Sequence, residues 1–149
     1  MRAAVSEDLA AIMAIEQASF PTDAWSAQMM AEELASPHSH YLVCEEGGTV
    51  VGYAGLRAVA GASDADIQTI ALAAEHRGGG RGRALLTALL AEAVRRGARE
   101  VFLEVRADNP VAAALYISEG FAEIGRRAGY YQPDGVDAIV MKHTLGVTP

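Results

Sequence analysis

The 149-residue chain contains one cysteine, has only 6% aromatic residues, and lacks any apolar run of membrane-spanning length. A lone Cys44 excludes an internal disulfide, and no partner at metal-binding spacing accompanies it; a buried strand position suits it. The missing run, about 18 residues being the minimum, excludes a transmembrane helix. The first residues, Met1-Arg2-Ala3-Ala4-Val5, pass into Ser6-Glu7-Asp8 without the apolar core of a secretory signal. The expectation is a soluble, cytoplasmic protein without a membrane partner. Positive charge is also scarce: the net charge of −7 opposes direct nucleic-acid binding and favours cationic partners such as basic peptides. Repeats and low-complexity tracts are absent. The length suits one domain, able to bury roughly 68–70% of its unfolded surface.

Against this background six residues stand out, Arg77-Gly78-Gly79-Gly80-Arg81-Gly82, between the apolar, β-branched run Ile67 to Leu72 and an amphipathic stretch opening at Arg83 and Ala84. Glycines at a strand-to-helix junction let free backbone N–H groups and the positive end of a helix dipole converge on one anion. The spacing rejects two common phosphate loops. A Walker loop counted from Gly78 or Gly79 meets Arg83-Ala84 or Ala84-Leu85 where Gly-Lys is required. A dinucleotide fingerprint counted from Gly78 or Gly80 meets Arg83 or Leu85 at its third glycine. What remains is Arg-x-x-Gly-x-Gly, from Arg77 through Gly80 to Gly82.

Periodicity supplies the frame. Ser6 as N-cap precedes helically spaced Leu9, Ile12, Met13 and Ile15, and that helix should end near Phe20-Pro21. Ser26 should cap a second helix reaching about Leu34. Tyr41–Cys44, a Gly47-Gly48 turn and Thr49–Ala54 read as a hairpin, with Ile67–Leu72 as the next strand. Leu85, Leu86, Leu89, Leu90, Ala93 and Val94 mark a third helix closed by Gly97. Glu100–Val105 reads as a buried strand, and Asn109-Pro110 should open a helix ending at Gly120. Phe121–Ile124 and Ala138–Lys142 suit two last strands. A meander followed by a strand–helix–strand crossover predicts a mixed sheet of class α/β or α+β.

Glu104 interrupts an apolar strand: alternation puts it with Phe102 on one face, opposite Val101, Leu103 and Val105. A partly desolvated carboxylate at the C-terminal end of a strand suits proton abstraction from an incoming ammonium; the plain alternative is a hydrated acid paired with Arg106. His38 and His40 form a loop pair and His76 flanks the glycines, too few ligands for zinc, so no metal is expected.

These residues resemble one family. Arg77 to Leu86, Leu103 to Asn109, Ala114-Leu115-Tyr116, Gly120-Phe121, Arg126 to Tyr131 and Asp134 to Ala138 are similar to the GCN5-related N-acetyltransferases (GNAT), and within them to the RimI-type protein N-terminal (alanine) acetyltransferases. The resemblance covers about Ser6 to Lys142. It implies a GNAT fold with six to seven strands and about four helices. It also implies a single acetyltransferase domain over 1–149, with an acetyl-CoA-binding core about 67–125. Acetyl-CoA would contact Ile70, Ala71, Leu72, the loop Arg77, Gly78, Gly79, Gly80, Arg81, Gly82 and Arg83, and Asn109. Glu104 would accept the proton of a peptide α-amine and Tyr116 would donate one to the leaving thiolate. Phe20, Pro21, Tyr130 and Tyr131 would line the peptide groove. The implied substrate is a protein N-terminus, in the type member that of the eighteenth small-subunit ribosomal protein, handled by a monomer or weak dimer. The first strand departs from the family by being confined to Arg2–Val5. A small-molecule amine or lysine acetyltransferase, or a non-catalytic acetyl-CoA-binding protein, would share the cofactor half and stays open at this point.

Overall fold

The computed structural model of the chain describes residues 1–145. Strand β1 (Arg2–Ala3) and a 3-10 turn lead to helices α1 (Leu9–Ser19) and α2 (Ala27–Ala35). Then come β2 (Ser39–Glu46), β3 (Thr49–Arg57), β4 (Asp64–Leu72), α3 (Arg81–Arg95), β5 (Glu100–Arg106), α4 (Pro110–Ser118), β6 (Ala122–Tyr131) and β7 (Val136–Thr144). The sheet order is β1-β2-β3-β4-β5-β7-β6, and β4–β5 is its parallel pair. Four helices on a seven-stranded mixed sheet match the fold that the sequence implies.

Local chemistry explains most boundaries. Ser26 Oγ accepts from Met29 N at 3.1 Å, and Asn109 Oδ1 accepts from Ala112 N at 3.2 Å with Pro110 in the first turn. Gly97 stops α3 at φ +91°, where a side chain would be strained. Ser6 does not cap α1. It opens the 3-10 turn Ser6–Asp8, and the buried carboxylate of Asp8 takes the capping role for the turn, accepting from Val5 N at 2.8 Å. Arg2 grips the same carboxylate through both of its terminal nitrogens, at 2.8 and 2.9 Å. That fork anchors the short β1 and holds the Asp8 carboxyl below the usual carboxylate range, the Arg2 hydrogen bonds being the main cause.

The last hairpin is longer than expected. Tyr130 and Tyr131, placed by periodicity in a connecting segment, belong to β6; Phe121 precedes it and packs edge-on against Tyr116 at 5.9 Å. The reason is a bulge: Arg127 pairs with Ala138 and Tyr131 with Val136, so β6 advances further than β7 between them and the alternation breaks. Gly129, at φ +60°, turns its N–H onto Asp137 Oδ1 at 2.9 Å within that bulge.

Two cores form, one on each face of the sheet. Leu85, Leu86 and Leu89 of α3 and Tyr116 of α4 pack with Val101, Leu103, Val105 and Met141; Ile12, Ile15 and Met30 pack with Tyr41, Val43, Tyr53 and Ala71 on the other face. Between the second core and the site lies Gly55, opposite Tyr41 on β2. A Cβ on Gly55 would sit 2.2 Å from the Tyr41 ring, whose hydroxyl bonds Gln68 at 2.9 Å. Gly55→Ala should therefore destabilise the protein by about 1–3 kcal/mol through overpacking. Thermal denaturation checks this, and an unchanged midpoint would show that the ring is free to move.

Candidate active site

β4 and β5 pair only at Asp64 with Glu100, Ala65 with Val101 and Asp66 with Phe102, after which they separate. A bulge opposite Gly55 and Leu56 of β3 falls at Gln68 of β4, just past the last paired residues. Gln68 is tied on both ends, accepting from the Tyr41 hydroxyl and donating Nε2–H to Glu33 at 3.0 Å. Beyond it, Ala73 N donates to Val51 O at 2.8 Å, so by strand alternation Ala71 turns its backbone to β3 while Ile70 and Leu72 turn theirs into the gap. Of the three backbone positions expected at the cofactor, Ile70 and Leu72 face the gap and Ala71 pairs with β3.

The gap runs into the glycine loop. Gly78 and Gly80 adopt φ +82° and +83°, and a Cβ at either would meet open space. The first intrahelical bond of α3 is donated by Ala84 N to Gly80 O at 3.0 Å, leaving the N–H groups of Arg81, Gly82 and Arg83 without a helical acceptor. These features fit a phosphate-bearing ligand such as acetyl-CoA, because main-chain donors and the helix dipole act together there. Arg77 stands at the rim, donating Nε–H to Leu72 O at 3.2 Å. The other arginines are committed: Arg81 to Glu46 at 2.7 Å and to His76 O at 3.1 Å, Arg83 to Glu119 and to Ser118 Oγ.

Two cavities meet at the gap. One, about 680 Å³, is lined by Leu72, Arg77, Gly78, Gly80, Gly82, Arg83 and Leu115. The other, about 540 Å³, is lined by Glu16, Asp23, Trp25, Thr69, Glu104, Arg106, Tyr130 and Tyr131. Phe20, Ile70, Asn109, Ala112 and Tyr116 border both. Both volumes lie in the range of small-molecule sites. Of the expected residues, Gly79, Arg81 and Pro21 line neither cavity.

Tyr116 occupies the junction. Its ring is buried and its hydroxyl makes no hydrogen bond among the described residues; burial pushes its pKa up to about 12, so it holds its proton at neutral pH. Glu104 stands in the second cavity on the face opposite Leu103 and Val105, as alternation predicts. Its surroundings differ from expectation. Its side chain is 32% exposed, and its charged partner is Arg127, 3.3 Å away, where the plain alternative named Arg106.

Arg106 instead holds the cavity walls together. Its guanidinium bonds Asp108 at 3.0 Å, Asp134 at 2.8 Å and Asp23 at 3.3 Å, and it lies 5.1 Å over the Tyr131 ring. Thr22 Oγ1 donates to the same Asp134 carboxylate at 2.8 Å. The α1–α2 loop and the β6–β7 turn are thereby drawn over the end of β5. Deeper in, Glu16 is 2% exposed and accepts from the Tyr53 hydroxyl and, at 3.0 Å, from Trp25 N. Burial first and Glu16 second raise the Tyr53 pKa. Periodicity could not distinguish Glu16 from a solvated helix residue. An acid among Ile12, Met13 and Ile15 was the available signal. Among the described residues no three His, Cys, Asp or Glu side chains group as metal ligands.

Comparison with known proteins gives this geometry its relatives. Residues 9–121 match the model of the acetyltransferase (GNAT) family. N-alpha-acetyltransferase RimI of Mycobacterium tuberculosis is 42% identical over 83% of this chain and 78% of its own length. The ribosomal protein bS18-alanine N-acetyltransferase of Escherichia coli K12 is 36% identical over 90% of this chain and 89% of its own. A crystal structure of the ribosomal-protein-S18-alanine N-acetyltransferase from Escherichia coli superposes with a TM-score of 0.85, covering 99% of this chain and 94% of that one at 32% identity.

Buried phenols have a consequence at alkaline pH. Burial raises Tyr131 as well as Tyr116 to about 12, so between about pH 10 and 12 the unfolded chain releases phenolic protons that the folded chain keeps. Stability present below pH 10 should fall across that window. Tyr116 accounts for about 2–3 kcal/mol of the loss, at 1.36 kcal/mol per unit. Denaturant titrations at pH 9, 10 and 11 check this, and Tyr116→Phe should flatten the slope.

Proposed function

The chain belongs to the acetyltransferase (GNAT) family and is an acetyl-CoA-dependent N-acetyltransferase, and from that premise we propose that it acetylates the α-amine of a protein N-terminus, that of a ribosomal protein. The observation carrying the reading is the pair of cavities that meet at Tyr116, one lined by the glycine loop and the other by Glu104, Tyr130 and Tyr131. The ribosomal-protein substrate rests on the relatives named for it, and a cytoplasmic location follows from that substrate.

Bound acetyl-CoA supplies an acetyl group activated as a thioester. The glycine loop and the first turn of α3 would hold its pyrophosphate, and the N–H groups of Ile70 and Leu72, turned into the gap, would be available to its thioester arm. Glu104 takes a proton from the entering α-ammonium, directly or through a water, which frees the nitrogen lone pair for attack. As the C–S bond breaks, Tyr116 Oη gives its proton to the departing sulfur, and the second proton that the nitrogen loses on becoming an amide returns to Tyr116 through water. Tyr130 and Tyr131, edge-to-face at 5.1 Å, form the wall along which the first peptide residues lie, opposite Phe20. On this reading the acetyl group passes directly to the amine, without a covalent enzyme intermediate.

Glu104→Gln should lower kcat about 10²- to 10⁴-fold, the usual worth of a general base, while acetyl-CoA affinity stays within about twofold. Tyr116→Phe should lower kcat with the same selectivity. Mass spectrometry of peptides with free and blocked α-amines, including a ribosomal N-terminus beginning Ala-Arg, is the deciding test. Acetyl transfer confined to free N-termini supports the proposal. Equal reaction of N-blocked lysine peptides makes the enzyme a lysine or broad amine acetyltransferase, and binding without any turnover makes it a non-catalytic acetyl-CoA-binding protein.

A further inference from the structure

Arg127 has no role in the chemistry so far, yet it is the single charged partner of Glu104 within 4.0 Å among the described residues. Three observations set this pair apart from an ordinary surface contact. The guanidinium reaches Glu104 from β6, across the intervening strand β7, whereas its neighbour Arg126 pairs within its own strand with Glu123. The Glu104 carboxylate accepts no hydrogen bond from any described residue, so Arg127 is what balances its charge. Arg127 is 59% exposed and, while paired with Glu104, also lies 5.5 Å over the ring of Tyr130, a contact that does not depend on Glu104.

Resting on the reading of Glu104 as general base, we propose that Arg127 is an exchangeable counter-ion. It stands against Glu104 where the substrate ammonium would stand, and it gives up Glu104 while keeping its place on Tyr130 when a peptide α-ammonium enters. The other charged groups around Glu104 cannot take that part. Arg106 on β5 is held by Asp23, Asp108 and Asp134; Glu16 of α1 is engaged by Tyr53 and Trp25; Lys142 on β7 pairs with Glu100. Tyr131 of β6 keeps its proton, burial being the main cause and Glu104 the second. Exchange of one cation for another keeps the local charge constant. A neutral amine would have to strip Glu104 of its partner without replacing it, so the device favours substrates that arrive as ammonium ions. Arg127 is on this account a positioning residue that sets the cost of substrate entry.

An exposed ion pair is worth little, so its removal should ease binding modestly. Arg127→Ala should lower the peptide KM about two- to fivefold at low ionic strength, the change in kcat being smaller, and Arg127→Lys should restore the parent KM. High salt should erase the difference. The decisive comparison is peptide affinity by calorimetry in the presence of CoA for the parent, R127A, E104Q and the double variant. The gain should vanish in the Glu104→Gln background. A gain that persists there marks diffuse repulsion, and an unchanged or weakened affinity in R127A marks a structural cation; either overturns the exchange. Undiminished turnover in E104Q would instead overturn the base assignment and the exchange with it.

Discussion

The whole site depends on the early parting of two parallel strands. A parallel ladder continued from Asp66 and Phe102 would consume the backbone donors of Ile70 and Leu72 and close the space that Tyr116 and Asn109 border. The bulge at Gln68 is where the path of β4 changes, and it is held from outside the cleft by Tyr41 and Glu33. Unpaired backbone groups in a sheet interior are costly unless something satisfies them. The edge of β4 therefore suits an extended ligand with its own donors and acceptors. Fold and ligand specificity are here one constraint.

Charge is organised around the same gap by commitment rather than by quantity. The chain carries a net −7, yet arginines line both cavities, Arg106 one and Arg77 and Arg83 the other. Most are saturated: Arg106 carries three carboxylates, Arg81 is held by Glu46, and Arg83 by Glu119. An arginine with satisfied partners acts as a rigid brace, since its fork fixes the groups it bonds. Arg77 differs in bonding Leu72 O and Ser19 Oγ with no carboxylate partner among the described residues, and Arg127 in pairing with Glu104 while 59% exposed. The phosphate half can thus recruit a cation on ligand arrival, and the amine half can release one.

What the chain discloses by inspection follows from how local each signal is. Ser26, Asn109-Pro110 and Gly97 announce helix ends because caps act within three or four residues, and the structure places them as expected. The glycine loop is legible for the same reason. Glu104 is legible as an acid on the correct strand face, because alternation is a property of one strand. Its partner is not: Arg127 reaches it only after β6 and β7 pair through a bulge that shifts the register. Ser6 misleads because the winning acceptor, Asp8, owes its position to Arg2 and burial. Glu16 and Arg106 belong to the same class, their roles being set by groups far along the chain.

The remaining question of mechanism, direct transfer or a covalent relay, turns on where a nucleophile could stand. Cys44 is the one thiol, and it is buried on β2 in the core beneath α3, its pKa raised by that burial. It lines neither cavity. A thiolate there would be costly to form and could not reach the gap without dismantling the sheet. At the junction itself stand Tyr116, Ile70, Asn109, Ala112 and Phe20, of which only Tyr116 ionises, and it is held neutral. A relay would need an activated nucleophile at the junction, and the residues there provide a proton donor instead. On the proposed reading donor and acceptor occupy the two cavities together, and the amine that reacts is the one whose proton Glu104 takes.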